Sequence, residues 1–367
     1  MLLGHSKLAG LSFEMGPIRP PSEGGSSSLL IRVTRNCPWN KCTFCHGRPY
    51  NHEKFKMRSV DDVKTDIDTA RSIYDEIKIA SWEMGYSGNM NNTVGTTLVR
   101  NIPQLSQNHS FVNVYNWICS GARTAFLQDA DSIVIPTSRL VEIIGHLRDS
   151  FSTLDRVTSY ARAKTVFKKE VDELEKLRQV GLSRLHIGLE TGDDALLWKV
   201  KKGVTAEEHI LAGRKVKESG IELSEYIMPG LGGKAMSRQH ADNTARVLNE
   251  INPDFVRSRP FTPMPGTPLF DAYENNEWEL LSSHEALGEM KAMVEQLDMT
   301  GRICFDHFRN PSYKTESGNL IHLFKQDYDG YKLPEEKGII LGLIEKGLTV
   351  AEEKFLQAED FIRMGSL

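Results

Sequence analysis

Val157-Thr158-Ser159-Tyr160-Ala161, Arg184-Leu185-His186-Ile187-Gly188-Leu189, Ile221-Glu222-Leu223-Ser224-Glu225-Tyr226-Ile227 and Asp254-Phe255-Val256-Arg257-Ser258 are four short apolar runs. Stretches of helical periodicity separate them. Val171, Leu174, Leu177 and Val180 share one face, and residues 206–218 and 238–251 repeat the pattern. Working outward toward the N-terminus, Thr124-Ala125-Phe126-Leu127 reads as a strand followed by a helix over 139–148. Leu29-Leu30-Ile31-Arg32-Val33 reads as another, with a helix from Val60 to Ile77. Six βα-type units result. Strands alternating with helices of this length predict an α/β fold, a parallel sheet covered by helices. The rhythm alone allows an open doubly wound sheet or a partial barrel. Either places the active site at the carboxyl ends of the strands.

The flanks differ in character. Residues 1–28 hold Gly16-Pro17-Ile18-Arg19-Pro20-Pro21 and Gly24-Gly25-Ser26-Ser27-Ser28, an irregular lead-in. Residues 79–122, with Trp82, Tyr86, Tyr115 and Trp117 among Gly and Asn, break the rhythm and read as an insertion over the active-site mouth. After Pro268 the alternation stops. Helices are expected over 279–297, 338–344 and 351–364, giving a mostly helical extension over 271–367 that covers the substrate.

The 367 residues carry a net charge of −4, with 26% charged and 40% hydrophobic residues, ordinary values for a globular enzyme. Nothing in this balance calls for nucleic acid as a partner. No run approaches the roughly 18 apolar residues of a membrane span, and the N-terminus has no signal-peptide core. Five cysteines, an odd number, do not make a disulfide scaffold. A cytoplasmic, reducing location is expected.

Three of the five fall within nine residues, in Cys37-Pro38-Trp39-Asn40-Lys41-Cys42-Thr43-Phe44-Cys45, directly after the first strand. Soft thiolates suit zinc or an iron–sulfur cluster. Clusters normally take four cysteines, so three in one loop leave an iron open for a substrate or cofactor. A zinc site would need a fourth ligand from His46, Cys119 or Cys304. His46 adjoins Cys45, which strains it as a ligand to the same ion, and lone cysteines are more often small buried hydrophobes.

The loop resembles the cluster loop of the radical S-adenosylmethionine superfamily, which follows the first strand of a parallel barrel. That family typically has three residues between its first two cysteines, whereas this chain has four, a CX4CX2C minority spacing. Leu185-His186-Ile187-Gly188-Leu189-Glu190-Thr191-Gly192, Lys202-Gly203-Val204-Thr205, Ile227-Met228-Pro229-Gly230-Leu231-Gly232-Gly233 and Pro263-Met264-Pro265-Gly266-Thr267-Pro268-Leu269 resemble the subgroup of oxygen-independent coproporphyrinogen III oxidase-like iron–sulfur oxidoreductases. The resemblance spans residues 29–270. It implies a partial (β/α)6 TIM-like barrel with a [4Fe–4S] cluster on Cys37, Cys42 and Cys45, and S-adenosyl-L-methionine as cofactor. It places Phe44 beside the adenine and Glu190 toward the ribose hydroxyls. Tyr160 and Arg162 close the third strand, Arg162 opposite the methionyl carboxylate. The usual Gly-Gly-Glu motif after the second strand is absent, so Asp129 or Asp131 would take the methionyl ammonium, with Trp82-Glu83-Met84-Gly85 a rival.

The implied enzyme cleaves the cofactor to a 5′-deoxyadenosyl radical, abstracts hydrogen from a small-molecule substrate and takes its electron from an external flavodoxin- or ferredoxin-type reductant. Two other classes remain open: a cluster carrier or chaperone without cofactor turnover, and a zinc-stabilised α/β protein. Transfer of an aminocarboxypropyl group is a further variant of the chemistry. Each residue also has a plain alternative: Glu190 as a helix cap, Arg162 as a surface ion pair, Arg257 and Arg259 as partners of helix carboxylates rather than of an acidic substrate, and Asp306-His307 with Asn310 as a docking turn.

Overall fold

The computed structural model describes residues 3–18, 27–45, 50 and 53–364. His46 and part of the Gly/Ser lead-in lie outside the described residues. The six expected strands form in order: β1 (Leu29–Arg32), β2 (Thr124–Gln128), β3 (Arg156–Ala161), β4 (Leu182–Glu190), β5 (Glu222–Ile227) and β6 (Phe255–Ser258). The main helices are α1 (Val60–Glu83), α2 (Asn92–Asn101), α3 (His109–Cys119), α4 (Thr137–Ser150), α5 (Ala163–Phe167), α6 (Val171–Val180), α7 (Asp194–Lys199), α8 (Ala206–Glu218), α9 (Gly233–Ile251), α10 (Pro268–Glu274), α11 (Ser283–Gln296), α12 (Lys337–Leu348) and α13 (Ala358–Met364). The fold is mixed α/β on a parallel-strand sheet, consistent with a partial TIM barrel.

The chain divides into two compact units. The first comprises residues 1–37, 53–160 and 172–184. Within it β1, β2 and β3 run parallel, with Leu30 opposite Phe126 and Phe126 opposite Thr158. β1 is buried along its whole length, as a strand covered on both faces must be. Ser59 caps α1 by accepting from the Asp62 N–H, and Val63, Ile67, Ala70, Ile73 and Ile77 turn inward at helical spacing.

Residues 79–122 are largely helical and are not placed over the strand ends. Asn113 of α3 accepts from Leu30 N–H and donates to the Ser28 carbonyl, both at the start of β1, opposite the end that feeds the cysteine loop. Trp117, fully buried, packs edge-on against Phe151 with ring centroids 4.9 Å apart and near Tyr74 of α1. Trp117 thus fills a side core with Phe151 and Tyr74, whereas Trp82 is exposed.

The second unit holds residues 38–52, 161–171 and 185–367. β5 and β6 pair in parallel. The extension adds a strand, β7 (Arg302–Cys304), parallel to β6, and β8 (Tyr331–Lys332), antiparallel to β7. A hairpin of Ser312–Lys314 with Leu320–His322 completes its β structure. On the outer face, His209 of α8 meets Glu225 of β5 at 3.1 Å, both wholly buried.

Candidate functional site

Alternation along a strand sends every second residue to one face. In β4 this sets Leu185, Ile187 and Leu189 toward the core of helices and leaves His186, Gly188 and Glu190 on the other face. Glu190 ends the strand at φ 60°, a left-handed conformation that redirects the chain at once. Its carboxylate accepts from Lys202 Nζ at 2.8 Å, and both side chains are nearly buried. Gly188 makes this pair possible, since a Cβ there would lie 2.1 Å from Glu190 Oε1 and 2.9 Å from Lys202 Nζ.

Lys202 lies at the centre of the second unit's polar cluster. Its ammonium stands 5.7 Å from the Phe44 ring centroid. Burial opposes its charge, but Glu190 and the Cys42 sulfur outweigh that and hold its pKa above the ordinary lysine value. The backbone carbonyl of Lys202 accepts from Arg162 at 2.9 Å, and that of Lys201 accepts from Trp39 Nε1 at 2.7 Å. The Arg162 guanidinium lies 5.3 Å from the Trp39 ring centroid. Gly203, at φ +75°, seats the same indole; a Cβ would approach it to 2.5 Å.

The cysteine loop is tied to this cluster by its backbone. Thr43 N–H donates to the Val200 carbonyl and Leu269 N–H to the Thr43 carbonyl, each at 3.0 Å. Phe44 packs on the buried group of Leu196, Val200, Leu231, Leu269 and Trp278. Cys45 N–H donates to the Cys42 carbonyl in a tight turn. Hydrogen bonding with Cys45 pulls the Cys42 thiol down to about 7; burial and Glu190 oppose this, while Lys202 and Arg162 reinforce it. Thiolate is the ligand form of cysteine, so these two residues suit a cluster or a soft metal. Among the described residues no three His, Cys, Asp or Glu side chains form a ready metal site. Cys37 belongs to the first unit, where its N–H donates to Asn36 Oδ1 at 2.6 Å.

In the first unit Asp129 follows β2 directly. Its Oδ2 accepts from Arg32 Nε at 2.8 Å and Asn36 N–H at 3.1 Å. Arg32 also bonds Glu14 and Glu53, at 3.1 and 2.9 Å. Burial pushes the Asp129 carboxyl up, and Arg32 pulls against it. Asp131 is buried nearby in sequence. Tyr160 lies half-buried at the end of β3, its ring edge-on to Phe126 at 5.2 Å.

The structure therefore gathers Phe44, Arg162, Glu190, Cys42 and Cys45 in the second unit, and puts Asp129, Asp131, Tyr160 and Cys37 in the first. Sequence reasoning assigned no role to Trp39 or Lys202. Their signal was present, in the cysteine loop and in the Lys202-Gly203 turn. Of the other expected residues, Arg257 is fully buried against Asp306 at 3.1 Å, whereas Arg259 lies over the Tyr226 ring at 5.3 Å. Asn310 docks its turn by donating to the Ser258 carbonyl. Cys304 is buried on β7 and Cys119 is exposed at the end of α3.

Residues 123–242 match the family model of the Radical SAM superfamily. Members of that family bind a [4Fe–4S] cluster and S-adenosylmethionine. Among curated relatives, it is 30% identical to the tRNA uridine(34) acetyltransferase of Methanocaldococcus jannaschii over 33% of this chain and 22% of that protein. It is 27% identical to the tRNA-2-methylthio-N(6)-dimethylallyladenosine synthase of Pseudomonas savastanoi over 66% of this chain and 46% of the relative. The chain thus spans less than half the length of either. Among solved structures, methylornithine synthase aligns with a TM-score of 0.43 at 16% identity, over 83% of this chain and 71% of its own. Coproporphyrinogen III oxidase from Escherichia coli aligns at 0.38 and 16%, over 47% and 39%. No helix among the described residues is long and apolar enough to cross a membrane.

Proposed function

We propose that the chain is a radical S-adenosylmethionine enzyme that abstracts hydrogen from a small-molecule substrate, with Cys37, Cys42 and Cys45 as the ligands of its [4Fe–4S] cluster. The observation that carries this reading is the Cys42–Cys45 pair, with one thiol lowered to about 7 beside Lys202 and Arg162. When bound, the cluster and cofactor supply the reductive cleavage of a sulfonium–carbon bond that generates a 5′-deoxyadenosyl radical. The protein's own residues bind, orient and exclude water. Arg162 would take the methionyl carboxylate, Glu190 the ribose hydroxyls, and Phe44 a face of the adenine. Lys202 donates to Glu190 at 2.8 Å and so fixes where its carboxylate points. Asp129 or Asp131 would serve the methionyl ammonium, with Tyr160 beside them in the sequence of strand ends. The CX4CX2C spacing, the coproporphyrinogen oxidase-like subgroup and a flavodoxin- or ferredoxin-type reductant belong to the same proposal.

A second reading, with a tRNA nucleoside as substrate, is favoured by the names of the curated relatives. Stimulation of cofactor cleavage by tRNA, and not by small metabolites, would select it.

The test is electron paramagnetic resonance on anaerobically reconstituted, dithionite-reduced protein. A cluster signal that changes on adding S-adenosylmethionine, and vanishes in Cys37→Ala, Cys42→Ala and Cys45→Ala, is expected. A signal indifferent to the cofactor would instead indicate a cluster carrier, and a colourless zinc-loaded protein a structural site.

A further inference from the structure

Cys37 ends a buried chain of hydrogen bonds in the first unit. Arg32, the last residue of β1, donates from Nε to Asp129 Oδ2 at 2.8 Å. The same oxygen accepts the Asn36 N–H at 3.1 Å. Asn36 in turn accepts the Cys37 N–H on Oδ1 at 2.6 Å and donates from Nδ2 to the Glu53 carbonyl. Its N–H and both ends of its side chain are thus engaged, and the residue is buried. Its backbone is left-handed, at φ 63°, a conformation that asparagine tolerates better than most residues. The turn into the cysteine loop is therefore set at Asn36.

Asp129 is closed to the outside. It is wholly buried, and its Oδ1 has no hydrogen-bond partner among the described residues. Gly16 covers that oxygen, since a Cβ there would lie 1.9 Å from it. The lead-in is tied down at this point. Gly16 N–H donates to Gln128 Oε1 at 2.8 Å, and Gln128 Nε2 donates back to the Gly16 carbonyl at 3.0 Å. Glu14 accepts from Arg32 at 3.1 Å and from Arg35 at 2.6 Å. A buried carboxylate needs a charged partner, and Arg32 supplies it. A methionyl ammonium would have to displace the lead-in to reach Asp129, which leaves Asp131 as the acidic candidate for that group.

We propose that Asp129 is a positioning residue: with Arg32 and Asn36 it fixes the backbone at Cys37, and so the thiolate that this cysteine presents to the cluster. The inference deepens the radical-enzyme reading and rests on it for the role of Cys37 as a ligand. Outer partners orient the residues that hold a metal, and losing one typically costs roughly 10–100-fold in affinity. Hydrogen bonds near the sulfurs also set a cluster's potential. Asn36 is the link between the two, because it takes the Cys37 N–H with its side chain and gives its own N–H to Asp129.

The test is cluster retention, measured without S-adenosylmethionine as the rate at which an iron chelator bleaches the anaerobically reconstituted protein. Asp129→Ala and Asn36→Gly should each speed bleaching by about tenfold or more. Glycine at position 36 keeps the left-handed backbone and removes only the side chain. Because the two act on Cys37 through one chain, the double variant should fall short of the product of their effects. Asp129→Asn, which retains an acceptor oxygen for the Asn36 N–H, should lie closer to wild type. The midpoint potential of the cluster should shift in both single variants, a readout that a merely structural role would not move. Circular dichroism establishes folding; if Asp129→Ala does not fold, Asn36→Gly, which leaves the Arg32–Asp129 pair in place, carries the comparison. Unchanged bleaching and potential in the folded variants overturn the proposal. So does an Asp129→Asn protein that keeps its cluster and potential but binds S-adenosylmethionine more weakly, since Asp129 would then be a cofactor ligand. Variants that loosen the cluster of a protein that never cleaves the cofactor remove only the radical reading. A wild type that takes up no cluster overturns both.

Discussion

At the residue scale the site depends on charges placed to keep sulfur ionised. Cys42 titrates near 7 because Cys45, Lys202 and Arg162 favour its thiolate over the opposition of burial and Glu190. In metal-free protein, thiolate absorbance should include one group titrating near pH 7 that is lost in Cys42→Ala. Lys202→Met should shift that midpoint upward; an unchanged midpoint would remove Lys202 from the account. The motif was legible because its three cysteines are adjacent in sequence. Lys202 was not, because its partner lies 12 residues away across a helix and a Lys-Gly pair also ends ordinary helices.

His307 gives a second residue-scale prediction. Burial, then Arg259 and Arg309, lower it from 6.5 to about 3, so the folded protein keeps it neutral where the unfolded chain takes up a proton. Its contribution is complete above pH 6.5 and is lost as pH falls toward 3, by up to about 1.4 kcal/mol per pH unit. His307→Gln, which keeps a hydrogen-bonding group, should flatten the acid arm of the stability curve measured by urea unfolding. An equally steep arm would show that other groups govern it.

At the scale of elements, helix caps and close backbone contacts decide how the strands are covered. Thr205 and Glu208 form a capping box at the start of α8, and Thr205→Ala should cost about 1 kcal/mol. Gly192 lets the chain after β4 meet α9: its N–H donates to Thr244 Oγ1, and a Cβ would come within 2.2 Å of the Asn243 carbonyl. Gly192→Ala should lower stability by about 1–3 kcal/mol through overpacking. Gly288→Ala, on the exposed face of α11 with open space around it, should raise stability by about 0.5–1 kcal/mol. Thermal unfolding of the three variants reads all of these. The strands of the barrel were legible to within two residues at each end, because buried parallel strands are continuous apolar runs. β7 was not, since three residues carry no periodicity. Residues 79–122 misled because exposed-looking aromatics among Gly and Asn hide two helices whose apolar faces close on α1.

For the whole molecule, the six strand–helix units follow from alternation, and the extension's helices from their amphipathic faces. What alternation did not carry is the joining of the extension to the strands through β7 and β8, which brings His307 and Arg309 to the end of β6. That contact depends on residues some fifty apart, beyond any local pattern. The two acidic candidates after β2 show the same limit from the other side. Asp129 was read as a ligand to an ammonium, and its strongest neighbour in the fold is Arg32 of β1.

The central claim, that the cysteine loop serves radical cleavage of S-adenosylmethionine, is tested most directly by chromatography of the products formed by reconstituted, dithionite-reduced protein. The account predicts 5′-deoxyadenosine from the wild type and at least a hundredfold less from each of Cys37→Ala, Cys42→Ala and Cys45→Ala. An iron-loaded protein that leaves the cofactor intact, or variants that still cleave it, would contradict the claim.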